Sequence, residues 1–485
     1  MHKLVIALFI VALLVEHVAV KYGGSPGRFL TLLPELFSVI LIVVLLVRLA
    51  IVRTVSLPAK YGIFFAIFFL HMLVGVLVNA VEPGVLVAGF RNYLKYLPFF
   101  LLPAMYAYSD QQMRRQLYWL MGFAFLQFPF SVWQRLETIR ARAMTGDWVV
   151  GTLNTHSTKM LFLVCIMSVL VAFVIKGRLR PGVAAITIIV LLIPIAISET
   201  KATIFFLPLA LLVPVVFYHA KDWAARVKKR KQLVTVTVVG ALALAIFVPI
   251  YDHYQKPRWG YGLVDFFLME NRVAGYLAPS TSGLRPERVG RIDGVVSANE
   301  ILSEEPVRWM VGLGMGNISP SFIPRFSGEY VHYQELIGGG ALAPYLFELG
   351  FVGVGLLLFF YFMVFRDAMR LSRQDSLAGA VALGWLGVIV ILAVALAYNS
   401  YTMRNVNYLF WYFSGYVAAS LYRAQVAARA ASAQPMPTAH VTPAPALSGA
   451  GALSPNGQSR APRRPRGRTP GPGPIGPTRP LRPQG

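Results

Sequence analysis

Acidic side chains are scarce in this chain. Of its 485 residues, 21 are Asp or Glu against 45 Lys or Arg, and charged residues together make up only 14%. A soluble domain carries about 25%, so the shortage argues against a soluble globular class. Cysteine is almost absent too. Cys165 is the only one and lies inside an apolar run, so a disulfide framework is excluded and any large loop must fold without cross-links. The polar segments also lack a compact cluster of Asp, Glu and His with metal-ligand spacing, and they contain no D-x-D. That points to chemistry without a metal or cofactor, with arginine and lysine as the electrophilic groups.

What the chain has in quantity is apolar length. Hydrophobic residues make up 56% and the mean hydropathy is +0.60. Apolar runs cover 4–20, 30–52, 61–79, 93–108, 116–133, 159–175, 182–198, 202–219, 232–250, 344–365, 377–397 and 407–422. About twenty helical residues cross a bilayer core, so the runs predict an all-α polytopic membrane bundle of about twelve crossings. The run 93–108 is the weakest, being short and holding Pro98 and Pro103. Residues 3–20 read as a signal anchor rather than a cleaved peptide, because Glu16 and His17 interrupt the run and no A-x-A site follows.

Lys and Arg set the expected orientation. With the N-terminus inside, the inner segments hold Arg48, Arg53 and Lys60; Arg114 and Arg115; Lys176, Arg178 and Arg180; Lys221 to Lys231; and Arg366, Arg370 and Arg373. Both termini then fall in the cytoplasm. The organisation expected is a membrane bundle over 1–250 with about nine crossings, a large external loop over 251–341, a second bundle over 342–422 with about three crossings, and a disordered basic tail over 423–485. The loop has eight Lys/Arg and ten Asp/Glu, a net charge of −2, whereas residues 421–485 hold nine Arg and no acid. The chain's net charge of +24 is therefore a membrane-topology and tail effect, and a nucleic-acid partner is excluded. The tail reads as a solvated extension near anionic lipid headgroups.

The external segments carry the candidate chemistry. They are 134–158, the turn SETKA at 198–202, the large loop, and the turn Asn399–Asn405. In the loop, VGRIDGVVSANEIL at 289–302 reads as a helix bracketed by Pro286 and Pro306. It places Ile292, Val295, Val296, Asn299 and Leu302 on one face and Arg288 beside Arg291. GLGMGN at 312–317 lacks the strand and helix of a phosphate cradle and reads as a flexible turn. The cations at this face are Lys201, Arg288, Arg291, Arg325 and Arg404. Guanidinium forks match phosphate oxygens in pairs, and fixed cations stabilise a departing pyrophosphate. His332 is the acid–base candidate, with an ordinary loop histidine as the alternative. His156, after Asn154, is a candidate sugar contact, and His253 an interfacial anchor. Among ionisable residues at or within the runs, Glu35 and Glu348 are expected to reach water. Glu199 is expected to orient Lys201 as an ion pair, and His71 to be a satisfied packing histidine.

Together these pieces resemble the O-antigen ligase/polymerase superfamily, the Wzy-like and WaaL-like membrane glycosyltransferases. The resemblance is spread over residues 90–365. It rests on RNYLKYL at 91–97, TGDWVVGTLN at 145–154, SETKA at 198–202, GRIDG at 290–294, GLGMG at 312–316, His332, and ELGFVG at 348–353. It implies a GT-C-like fold in the bacterial inner membrane and transfer of a glycan from undecaprenyl pyrophosphate on the periplasmic face. The acceptor would be another lipid-linked glycan for a polymerase or lipid A core for a ligase. It further implies Lys201, at the family's arginine position, and Arg291 as diphosphate grips, with His332 activating the acceptor. Flippase and chain-length regulator proteins are the partners it implies. Polymerases of this family carry R-x10-G elements, and Arg140…Gly151 and Arg272…Gly283 match them, which favours polymerase. A transporter would instead show inverted repeats and charges at mid-depth, and a docking protein would tolerate loss of Arg291 or His332.

Overall fold

Apolar runs of this length must close all their backbone hydrogen bonds within themselves. The computed structural model of the chain is accordingly helical, with no strand among its described residues. These are residues 1–15, 32–141, 146–219, 223–278, 289–321 and 324–433. In chain order the helices are α1 (His2–Ile10, extended by a π-helical turn to Val15), α2 (Leu33–Val52), α3 (Ala59–Val78), α4 (Pro83–Leu94), α5 (Leu97–Met105), α6 (Asp110–Arg140), α7 (His156–Ile175), α8 (Pro181–Ala196), α9 (Thr203–Phe217) and α10 (Trp223–Trp259). The short helices α11 (Leu263–Leu268), α12 (Glu270–Leu277), α13 (Arg291–Ser303) and α14 (Pro306–Val311) follow. The chain then returns through α15 (Leu342–Leu371), α16 (Leu377–Tyr398) and α17 (Val406–Ala433).

Six of these helices are long and apolar enough to cross a membrane: α2, α3, α7, residues 229–257 of α10, α15 and α16. The segments His2–Leu14, Pro181–Ala196 and Thr203–Phe217 are apolar but shorter. Burial sorts them into layers. In α7 and α16 the apolar stretch is 72% and 78% buried, so they form the centre, whereas α2 at 17% and α10 at 11% lie outside with apolar side chains free to face lipid. Local signals set the ends. Ser109 and Gln112 make a reciprocal capping box at the start of α6, and Thr155 accepts from the Thr158 N–H at the start of α7.

Residues far apart in sequence converge at two opposite faces of the bundle. At one, Lys60 meets Asp367, Lys176 meets Asp375, Arg178 donates to the Asp375 carbonyl and Arg423 to the Pro103 carbonyl. At the other lie the ends of α6, α8 and α16 and the helices of the long insertion, here called the loop face.

α10 continues as helix to Trp259, beyond the apolar run that ends at 250, and α17 to Ala433, beyond the run that ends at 422. Met1–Ala431 forms one compact unit and Ser432–Gly485 a second; beyond Ala433 the tail lies outside the described residues. The run 93–108 is split, α4 ending at Leu94 and α5 starting at Leu97. α13 forms where expected, but its buried residues are Asp293, Gly294, Ala298 and Leu302, while Ile292 and Val296 are exposed. Gly294 explains the rotation: a Cβ there would lie 2.5 Å from the Ile337 carbonyl oxygen, so the close approach selects the small side.

GLGMGN is a rigid turn rather than a flexible one. Gly312, Gly314 and Gly316 have φ of 75°, 89° and 87°, and residues 312–319 are buried. A side chain at Gly316 would meet the Val85 carbonyl at 2.5 Å. Glu348, expected to reach water, is 1% exposed and holds this turn. It accepts from Ser319 Oγ at 2.7 Å, from Tyr93 Oη at 2.6 Å, and from the backbone N–H groups of Gly316 and Ile318. His71 is the satisfied packing histidine expected. Its Nε2 lies 2.8 Å from the Leu349 carbonyl oxygen, beside Gly350, whose φ of 65° kinks α15.

Candidate functional site

The site begins with a loop fastened to α6. Residues 146–154 have little regular structure, so their backbone groups need partners. Glutamines of α6 supply them. Gln134 both donates to and accepts from the Gly151 backbone, each at 2.7 Å, and Gln127 donates to the Thr152 hydroxyl at 2.7 Å and accepts from the Thr152 N–H at 2.9 Å. Lys159, fully buried, donates to Ser131 Oγ, the Val149 carbonyl and the Pro194 carbonyl at 2.9, 2.7 and 2.8 Å, which uses all three ammonium protons. Gly146 packs against the turn at Ser198, where a Cβ would sit 2.8 Å from the backbone. Asp147 is thereby fixed near the head of α7, its Oδ1 3.8 Å from His156 Nε2.

The SETKA turn faces this loop. Glu199 adopts φ of 55°, unusual for a residue with a side chain, and Arg135 Nη2 holds its carboxylate at 2.8 Å. Arg135 also stacks over the Tyr254 ring at 4.3 Å. Glu199 is therefore not the direct ion-pair partner of Lys201; it acts on that lysine through space. Lys201 instead projects over three rings, with Nζ 4.1 Å from the Phe266 centroid, 5.5 Å from Tyr276 and 5.7 Å from Tyr261. Burial lowers its pKa to about 8; the charges of Glu199 and Asp147 oppose the fall and that of Arg272 adds to it.

Two arginines share the same rings. Arg272 stacks over Tyr261 at 4.8 Å. Arg291, the first residue of α13, lies over Tyr276 at 4.8 Å and over Tyr398 at 4.5 Å, and its Nε donates to the Tyr398 carbonyl at 2.8 Å. Tyr276 and Tyr398 meet hydroxyl to hydroxyl at 3.3 Å. His156 is near enough to Arg291 to feel its charge. Lys201, Arg272 and Arg291, from three different segments, thus border one aromatic cluster, and His156 lies within electrostatic reach of Arg291. None of the three cations makes an ion pair among the described residues. Cation–π contact steadies such a charge without neutralising it, so it stays available to an anion.

The other expected residues lie elsewhere. His332 is exposed in a 3-10 turn and its recorded contacts are with the rings of Tyr330 and Tyr333. Arg325 is exposed over Phe326, against Gly84 of α4. Arg404 lies in the turn after α16, its Nε buried without an acceptor among the described residues. Arg140 is exposed at the end of α6. Arg288 lies outside the described residues, and α13 begins only at Arg291, so no helical pairing of the two is described. Sequence reasoning missed Arg135, Asp147, Tyr261, Tyr276 and Tyr398; Arg135 carried one signal, an ionisable side chain just past the apolar run that ends at 133. Among the described residues no three His, Cys, Asp or Glu side chains gather to hold a metal ion.

No protein-family model matches the chain, and no curated protein matches it either.

Proposed function

We infer that this protein is a metal-independent membrane glycosyltransferase that polymerises oligosaccharide repeat units carried on undecaprenyl pyrophosphate. On this reading the chain makes about twelve crossings of the bacterial inner membrane. Both termini are cytoplasmic and the loop face is periplasmic. The three shorter apolar helices, the pair α4–α5, α6 and α17 supply the crossings beyond those six long apolar helices. The observation that carries the reading is the convergence of Lys201, Arg272 and Arg291 on one tyrosine-rich cluster at the end of the bundle. Three unneutralised cations at the depth of a lipid headgroup suit a diphosphate.

The division of labour follows from the side chains. Arg291, anchored by its Nε to the Tyr398 carbonyl, turns its remaining N–H groups to one phosphate. Lys201 balances the charge that develops on the diphosphate as the glycosidic bond breaks. The tyrosine rings offer flat apolar faces on which a sugar can stack. Among the histidines, His156 with Asp147 is better placed than His332 to take the acceptor hydroxyl's proton, because it borders the cations and has a carboxylate to orient it. The R-x10-G elements of the sequence tip the choice to polymerase over ligase.

The test is the glycan profile of cells lacking the protein. Loss of long chains with retained single units supports polymerisation. Accumulated lipid-linked polymer with none attached to lipid A core means a ligase, and halted export means a transporter.

A further inference from the structure

The bundle holds a laterally open cavity of about 620 Å³ between α6, α7, α8, α16 and the first turns of α17, running from the face opposite the loop up to Tyr401. Its walls are hydrocarbon and rings, with Phe162, Ile166, Val388 and Phe413 among them. The polar atoms that line it are mostly engaged: Trp385 donates to Ser414, and Tyr401 bonds to Tyr361 and to the Leu392 carbonyl. Along α16 it runs from Leu377 to Leu392. Fifteen helical residues rise about 22 Å, somewhat more than the about 15 Å depth of one leaflet. Tyr118, Phe125 and Val183 on its rim are exposed, so it opens sideways between α6 and α8.

The charge is at one end. Arg114 and Arg178 line the cavity together with Leu377 and Gly177, at the face opposite the candidate active site. Arg114 is exposed, and Arg178 spends one donor on the Asp375 carbonyl at 3.1 Å, leaving the rest of its guanidinium free to point outward. Among the described residues no carboxylate lines the cavity. A long apolar slot with two arginines at its mouth complements a molecule with a hydrocarbon chain and an anionic headgroup.

We propose that this cavity binds an anionic phospholipid of the leaflet opposite the loop face, with one acyl chain lying along α16 and the phosphate held between Arg114 and Arg178. Guanidinium hydrogen bonds to phosphate give the headgroup preference. Burial of the chain against α7 and α16 gives the affinity. The bound lipid then acts as a packing element where the central helices leave a gap. The proposal is independent of the glycosyltransferase reading, because no residue of the aromatic and cationic cluster takes part.

The test uses the full chain in detergent, with bound lipid read by native mass spectrometry and Tm by fluorescence. The added lipids are phosphatidylglycerol, phosphatidylcholine with the same acyl chains, and a polyprenyl phosphate. Phosphatidylglycerol should be retained and raise Tm by several degrees, and phosphatidylcholine should do neither. The double variant R114Q/R178Q should weaken phosphatidylglycerol binding at least about tenfold, the loss expected when charge-assisted hydrogen bonds go. Ile166→Trp, which fills the slot without touching the arginines, should block retention while the chain remains folded. Equal retention of the zwitterionic lipid, or retention unchanged in both variants, overturns the proposal. Displacement of phosphatidylglycerol by equimolar polyprenyl phosphate also overturns it, since the slot would then belong to an isoprenoid.

Discussion

Two sets of cations in this bundle, one at each face, are held in opposite ways. Opposite the loop face, Lys60 meets the buried carboxylate of Asp367 at 2.5 Å with Tyr61 adding a hydrogen bond, and Lys176 meets Asp375. Those cations are neutralised, and they tie helices together. At the loop face Lys201, Arg272 and Arg291 lean on aromatic rings, and Glu199, the carboxylate that acts most on Lys201, is held by Arg135. A ring steadies a cation and leaves its charge intact. The lesson is that the partner of a cation, more than its position in the sequence, separates a structural charge from one poised for an anion.

The largest effect should come from breaking a neutralised pair. Asp367→Ala leaves the buried Tyr61 hydroxyl without its acceptor and the half-exposed Lys60 without its counter-ion, and should cost about 2–3 kcal/mol of stability, seen as a drop in Tm, with transfer per folded molecule unchanged. Arg291→Ala should do the reverse. Transfer should fall about a hundredfold or more while Tm barely moves; unchanged polymer length would remove Arg291 from the site. His156→Ala should lower transfer by about a hundredfold and His332→Ala by less than about tenfold. The opposite ranking, measured in the same assay, would return the acid–base role to His332.

Smaller effects sharpen the contrast. Tyr276 is shared by Lys201 and Arg291, so Tyr276→Leu removes two ring contacts worth about 1 kcal/mol each. Its KM for lipid-linked substrate should rise, whereas Tyr276→Phe should retain most of the affinity. The smallest change is in the pH profile. Lys201 is an ammonium below a pKa of about 8 and neutral above it, so kcat/KM should fall as pH rises through that value. Lys201→Arg should flatten the profile, because arginine stays charged throughout. A wild-type profile that is flat to pH 9 would mean that the lysine is not the grip.

Much of this could be read from residues in order. Each of the twelve apolar runs falls on helix over most of its described length, 93–108 on two short helices, because twenty apolar residues in a row have few other ways to satisfy their backbone. The helix from Arg291 was marked by its apolar spacing and bracketing prolines, and Lys201 and Arg291 were among the five cations marked at the external face. Partners were not legible. Nothing near Glu199 names Arg135, which is 64 positions away, and nothing near Glu348 names Tyr93, 255 away. The face of α13 was misread because Gly294, without a side chain, carries no hydrophobic signal yet makes the closest contact. GLGMGN was misread for the same reason, since glycine suits both a loose turn and a crowded one.

Class, helix content and the uneven sorting of charge along the chain were decided by composition alone. They follow from local terms, the transfer of apolar side chains out of water and the closure of hydrogen bonds within each helix, which depend on near neighbours in sequence. Which cations are quenched by carboxylates and which are left on rings was decided only when the helices packed. Such pairing is set by distances of a few ångströms between segments up to hundreds of residues apart, and the Coulomb and ring contacts that act at that range have no counterpart along the chain.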